Sequence, residues 1–142
     1  MREVAILGVG QTPVREHWDL SLRQLAVQAG RAALDDAGVE RIDALYVSNM
    51  NSDRLAGQRH LGALVADYLG QRGVEAVKLE AACGSAGSAM RQGLLAVASG
   101  QLDAVLVIGV EKLTELPGRQ TTAALATAAD ADYEVEHGIT FV

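Results

Sequence analysis

With 142 residues, 49% of them hydrophobic and 21% charged, the chain is neither a disordered tail nor a membrane protein, and one soluble domain is expected at this size. Lys and Arg number 12 against 18 Asp and Glu, a net charge of -6, the wrong sign for tracking nucleic acid or anionic lipid by bulk charge. The single cysteine, Cys83, excludes an intrachain disulfide or Cys-rich metal site and favours a reducing, cytoplasmic setting.

The chain opens with MREVAILGVGQTP, whose apolar run is too short to span a membrane and lacks the small-residue cleavage region of a signal peptide. Residues 4–9 are β-branched and apolar, closed by Gly8, Gly10 and Pro13, and predict a buried strand. A helix start follows: Ser21 and Gln24 have capping-box spacing, and Leu20 and Leu25 are placed as a hydrophobic staple. Leu22, Leu25, Ala26, Ala29 and Ala33 then share one helical face, and Gly38 is placed to end the helix in the left-handed conformation.

Residues 44–47 predict a second strand, and Leu61, Leu64, Val65, Tyr68 and Leu69 a second helix before Gly70. Residues 74–81 predict a third strand, with Val77 and Leu79 on one face and Lys78 and Glu80 on the other. Residues 85–99 predict a third helix, stopped by Gly100, and residues 104–110 a nearly all-apolar fourth strand. Four strands separated by three helices imply right-handed crossovers and a mostly parallel sheet covered on both faces. From Thr114 onward the chain is small and polar with weak periodicity, as expected of a peripheral segment rather than a final strand.

The sharpest chemical feature lies where the third strand passes into the third helix: Glu80-Ala-Ala-Cys83-Gly-Ser-Ala-Gly-Ser-Ala-Met90. A thiol at such an elbow faces the N–H groups and dipole of a helix N-terminus, which favour the reactive thiolate. The same N–H groups could serve as part of an oxyanion hole for a thioester carbonyl under attack. The competing reading is a small core hydrophobe, since free cysteines are among the most buried residues. Small residues after Cys83, with Ala86, Ala89, Met90, Leu94 and Val97 as apolar contacts, predict a deeply buried helix.

Other candidates are weaker. Gly8-Val9-Gly10 lacks the third glycine of a dinucleotide loop, because Pro13 stands there and no helix opens at once. Arg54, Arg59 and His60 could touch a phosphate but read as solvated cations. Asp130, Asp132, Glu134 and Glu136 lack the spacing and glycine of a calcium loop, so no metal is expected. His17, His60 and His137 read as surface or structural residues.

The stretch ACGSAGSAMRQGLLAVASG followed by VLVIGVEKLT resembles the nucleophile-cysteine region of thiolases. Within that superfamily it is most similar to archaeal and bacterial acetyl-CoA C-acetyltransferase-like members related to sterol-carrier-protein thiolases. VAILGVGQTP, DALYVSNM and ATAADADYEVEHGITF resemble corresponding parts of the same branch. The resemblance implies an α/β fold: the N-terminal half of a thiolase, a βαβαβαβ mostly parallel sheet with a buried central helix. Residues 1–113 would be the α/β domain and 114–142 the start of an incomplete loop domain.

By the same resemblance, Cys83 takes the acyl group from an acyl-CoA. The family's histidine base, second cysteine and second oxyanion motif lie in a duplicated C-terminal half that this sequence does not contain. The implied substrates are coenzyme A esters, acetyl-CoA and 3-ketoacyl-CoA, with no permanently bound cofactor. The implied partners are a second copy or a C-terminal thiolase half, with pairing across the third strand. Hydroxymethylglutaryl-CoA synthase and a small OB-fold protein are further candidates, since some archaeal relatives pair with them. Two alternatives stay open: a non-catalytic scaffold or CoA-ester-binding subunit, and a relative of the ketoacyl or hydroxymethylglutaryl-CoA synthases.

Overall fold

The structure, a computed structural model, describes residues 2–138. Helices cover both faces of a three-stranded parallel sheet of order β2-β1-β3, formed by β1 (Ala44–Ser48), β2 (Glu75–Leu79) and β3 (Val105–Gly109). Central β1 is buried throughout, as a parallel strand covered on both faces must be. Its register pairs Tyr46 with Val77 on one side and Val107 on the other.

The period-two alternation of β1 and β3 divides the core. Leu45, Val47, Leu106 and Ile108 pack against α1 (Leu22–Ala37) and α3 (Leu61–Tyr68) through Leu22, Ala26, Leu61 and Val65. Ala44 and Tyr46 face α4 (Ser85–Ala98) through Ala89. The buried Tyr46 hydroxyl donates to Glu75 at 2.9 Å, and burial, followed by that carboxylate, pushes the phenol's pKa up.

The predicted capping box is present: the Gln24 N–H donates to Ser21 Oγ at 3.2 Å, and the Ser21 N–H to Gln24 Oε1 at 2.8 Å. Gly38 closes α1 at φ 64°. Close layer packing rests on helical glycines. A Cβ on Gly62 would lie 2.7 and 2.8 Å from backbone atoms of Val77, so α3 lies directly on the β2 main chain. Where β3 begins, Asp43 accepts the N–H groups of Asp103 and Ala104 at 2.7 and 2.9 Å. The Ala104 and Asp103 bonds hold its carboxyl below its ordinary pKa.

Two expectations need correction. Residues 4–9 form no strand of the sheet; Ile6 is 76% and Val9 72% exposed. The segment instead presses on α1, where a Cβ on Gly10 would lie 2.3 Å from the Ala29 carbonyl oxygen and one on Gly8 2.5 Å from the Ala37 nitrogen. The Val9 N–H donates to Asp36 at 2.9 Å, which fixes this position away from the β3 edge. The βαβαβαβ sheet is therefore three strands wide among the described residues.

The helix after Cys83 is not deeply buried. Only Ser85, Ala89, Gly93 and Ala98 are buried along α4, while Met90 and Leu94, which line a cavity beside β3, are about half exposed. The polar stretch after Thr114 also contains regular structure, α5 (Gly118–Leu125) and a 3₁₀ turn (Ala126–Ala128), and a short α2 (Ser52–Ala56) follows β1. Residues 139–142 of the expected 114–142 segment lie outside the described residues.

Candidate active site

Cys83 sits in a 3₁₀ turn (Ala82–Gly84) between β2 and α4, and it is exposed. Its exposure overturns the reading of a buried core thiol. The turn is strained and braced. Ala82 is the one non-glycine residue with positive φ among those described, at 48°, a conformation that costs on the order of 1–3 kcal/mol and persists only where surroundings impose it. Buried Ser85 supplies that constraint from inside, its hydroxyl accepting the Ala81 N–H at 2.9 Å and donating to the Ala82 carbonyl at 2.6 Å. The Gly84 N–H donates to the Ala81 carbonyl at 2.8 Å, and the Glu80 carboxylate takes the Ala82 N–H. With its backbone thus tied, the turn presents Cys83 at the surface two residues before the start of α4.

No side chain hydrogen-bonds the Cys83 thiol among the described residues, and none of the three histidines does so. His17 is buried and its Nε2–H donates to the Pro13 carbonyl at 2.7 Å. Exposed His60 precedes α3. His137 bonds the Tyr133 carbonyl at 2.7 Å, with the two rings 4.6 Å apart. Arg59 is solvated, with only a 3.8 Å contact to Asp53. Asp130 and Glu134 engage backbone N–H groups within their own turn, and the described residues hold no cluster of metal-ligating side chains.

Sequence reasoning missed a polar network at the same, C-terminal, end of the strands, where open α/β sheets place ligands. Glu111, two residues after β3, accepts from Asn49 Nδ2 at 2.9 Å and from the Met50 and Asn51 N–H groups at 2.9 and 3.2 Å. Asn49 Oδ1 takes the Ser52 N–H at 2.7 Å, and Lys78 reaches Ser52 Oγ at 3.0 Å. The network thereby joins the exits of β1, β2 and β3. Its available signal was the polar run Asn49-Met-Asn51-Ser52 directly after a buried strand.

The candidate site is an exposed thiol on a constrained strand-to-helix turn, carried by a parallel α/β layer. Residues 4–141 match the family model "Thiolase, N-terminal domain", and the chain belongs to that family. Over 99% of its length it is 45% identical to an acetyl-CoA acetyltransferase of Methanothermobacter thermautotrophicus, and it spans 37% of that relative. Among solved structures, an acetyl-CoA acetyltransferase of Syntrophomonas wolfei shares the fold at TM-score 0.69 and 22% identity, over 79% of this chain and 29% of that one. A 3-oxoacyl-[acyl-carrier-protein] synthase III of Aquifex aeolicus superposes at TM-score 0.64 with 29% identity, over 76% of this chain and 35% of that one. The family-level class is thus thiolase-fold acetyltransferases and ketoacyl synthases. No helix among the described residues is long and apolar enough to cross a membrane.

Proposed function

We propose that this chain is the nucleophile-bearing N-terminal half of a thiolase-type acyltransferase acting on acetyl-CoA and 3-ketoacyl-CoA esters, with Cys83 as the acyl acceptor. The observation that carries the reading is the exposed Cys83 on a strained turn held by Ser85 at the mouth of α4. In the first step the Cys83 thiolate attacks the thioester carbonyl carbon, the carbon–sulfur bond to coenzyme A breaks, and the departing thiolate takes a proton. In the second, an acyl-CoA that has lost its α-proton attacks the acyl-cysteine carbonyl, and Cys83 leaves as thiolate. Such covalent catalysis divides one difficult transfer into two easier ones.

The chain brings no base to Cys83 among its described residues, and it spans 37% of its acetyltransferase relative. Activity therefore rests on groups from a C-terminal thiolase half, and the working form is an oligomer or a complex with that half. The outer edge of β2, unpaired among the described residues and with Val77 40% exposed, supports pairing there. Residues 1–113 constitute the α/β layer, and 114–142 begin the covering loop domain. The similarity to the Aquifex aeolicus synthase III favours a second reading, an acyl-cysteine enzyme that extends carrier-bound rather than CoA-bound chains.

The test is incubation of the chain assembled with a C-terminal half, and separately alone, with acetyl-CoA or acetoacetyl-CoA, followed by intact-mass measurement and peptide mapping. A thioester on Cys83 in the assembly, abolished in Cys83→Ala, is expected. Turnover that survives Cys83→Ala sinks the reading.

A further inference from the structure

Both carboxylate oxygens of Glu111 are committed to one loop, the segment that leaves β1. Oε1 accepts Asn49 Nδ2 at 2.9 Å, and Oε2 accepts the Met50 and Asn51 N–H groups at 2.9 and 3.2 Å. We propose that Glu111, acting through this loop, is a positioning residue that holds the strained turn on which Cys83 stands. The proposal deepens the reading of Cys83 as acyl acceptor and rests on that reading for its kinetic consequence, while its geometric part stands without it.

The loop in turn grips the exit of β2. Beyond the final register pair of β1 and β2, Ser48 with Leu79, the Asn49 N–H donates to the Leu79 carbonyl at 3.2 Å. Lys78 Nζ donates to Ser52 Oγ at 3.0 Å. Asn49 is 2% and Ser52 0% exposed. The Asn49 amide has no freedom left, because Nδ2 also donates to the Val110 carbonyl at 2.9 Å and Oδ1 takes the Ser52 N–H at 2.7 Å. Glu111 supplies the charged acceptor of this set, and hydrogen bonds to an ionised carboxylate are stronger than neutral ones.

The turn beyond Leu79 depends on such an anchor. Ala82 stands at φ 48°, a conformation that persists for a residue with a side chain only under outside constraint. The bonds made by Glu80, Ala81, Gly84 and Ser85 all run within the turn. They fix its internal shape, whereas its seat on the sheet is set at Lys78 and Leu79, where the loop held by Glu111 takes hold. Freed from that seat, Ala82 can relax toward ordinary backbone angles, and the Cys83 thiol and N–H turn away from the position they now share. A misplacement of about 1 Å is enough to cost a reacting group about 100-fold in rate.

Glu111 is itself exposed, so Glu111→Gln leaves no buried charge without a partner. The substitution keeps the size of the side chain and one acceptor oxygen, and sets an NH2 group against N–H donors at the other.

The test is a double-mutant cycle on the full chain, Glu111→Gln with Ala82→Gly, read by amide exchange. The Gly84 N–H, bonded to the Ala81 carbonyl, reports opening of the turn, and amides in the middle of α1 report the fold at large. In Glu111→Gln the Gly84 amide should exchange about tenfold faster or more, while the α1 amides change by less than about threefold. Glycine adopts φ 48° without strain, so in the Ala82→Gly background the same substitution should change Gly84 exchange by less than about threefold. In the assembly with a C-terminal half, Glu111→Gln should slow acylation of Cys83 by acetyl-CoA about tenfold or more, and the double variant should recover most of that loss. Alkylation by iodoacetamide, which needs only an exposed thiol, should change by less than about threefold.

If Glu111→Gln does not fold, Lys78→Met, which removes the Ser52 bond alone, takes its place in the cycle. The proposal is overturned if Gly84 exchange is unchanged, or if it rises equally in both backgrounds, as general support of the fold would give. It is also overturned if the turn loosens while acylation keeps its rate. An assembly that never acylates Cys83 sinks the acyl-acceptor reading instead, and amide exchange still decides the role of Glu111.

Discussion

Gly62→Ala tests whether the contact between α3 and β2 is as close as backbone geometry requires. A Cβ at that position would lie 2.7 Å from the Val77 carbonyl carbon, 2.8 Å from its nitrogen and 3.0 Å from the Ala76 carbonyl carbon. These are main-chain atoms of a paired strand, with no flexible side-chain end to swing aside, so the helix must rise off the sheet by several tenths of an ångström. Overpacking of that kind costs about 1–3 kcal/mol, and the rigidity of the obstacle puts this case in the upper half. Alanine's better helix propensity returns about 0.8–1.0 kcal/mol. The net loss is about 1–2 kcal/mol, which at a mid-range urea slope of about 2 kcal/mol per molar lowers the unfolding midpoint by roughly 0.5–1 M. Urea titration followed by far-ultraviolet circular dichroism reads this directly. A midpoint equal to or above that of the parent chain would refute the close approach.

Two further perturbations probe how the elements begin. Ser21→Ala removes the side-chain half of the capping box and should cost about 1 kcal/mol in the same titration, whereas Ser21→Gly should cost only a few tenths; equal losses would deny the side chain a capping role. Asp43 has a folded-state pKa depressed by the Ala104 and Asp103 N–H groups, so its contribution is complete above its unfolded value, about 3.9, and is lost as pH falls through the folded one. The stability difference between the parent and Asp43→Asn should therefore be largest near neutral pH and shrink below about pH 4, and a pH-independent difference would remove the linkage.

The sequence made legible those features fixed by local periodicity and capping. Ser21, Gln24 and Gly38 delimit α1 as their chemistry requires, and the apolar runs containing Tyr46 and Leu106 became the sheet. Residues 4–9 carry an equally good strand pattern, yet pairing is a property of two segments, and the position beside β3 has no occupant among the described residues. A pattern of burial read from one segment cannot report whether its neighbour is present. The same limit applies to α4, whose apolar contact positions include Met90 and Leu94, both half exposed where they line the cavity beside β3. At the site, the elbow position of Cys83 was readable from the order of strand, cysteine and helix. Glu111 was not readable, since it meets Asn49 and Asn51 only through the adjacency of β1 and β3.

That contrast gives Gly87 a different meaning from Gly62, although both are glycines inside helices. A Cβ on Gly87 would meet nothing within 4 Å, so packing within this chain does not require its smallness. It stands one turn beyond Cys83 on the helix that leaves Met90 and Leu94 uncovered. In the chain alone, Gly87→Ala should therefore stabilise α4, by roughly 0.5–1 kcal/mol, through backbone entropy. If Cys83 accepts acyl groups only when a second half closes over α4, the methyl group at that interface should slow Cys83 acylation in the assembled protein while the isolated chain grows more stable. Urea midpoints of the chain and acylation rates of the assembly, measured on the same variant, separate the two effects. Stabilisation with unchanged acylation would mean that this face of α4 stays open in the working enzyme, and the small residues after Cys83 would then need another explanation.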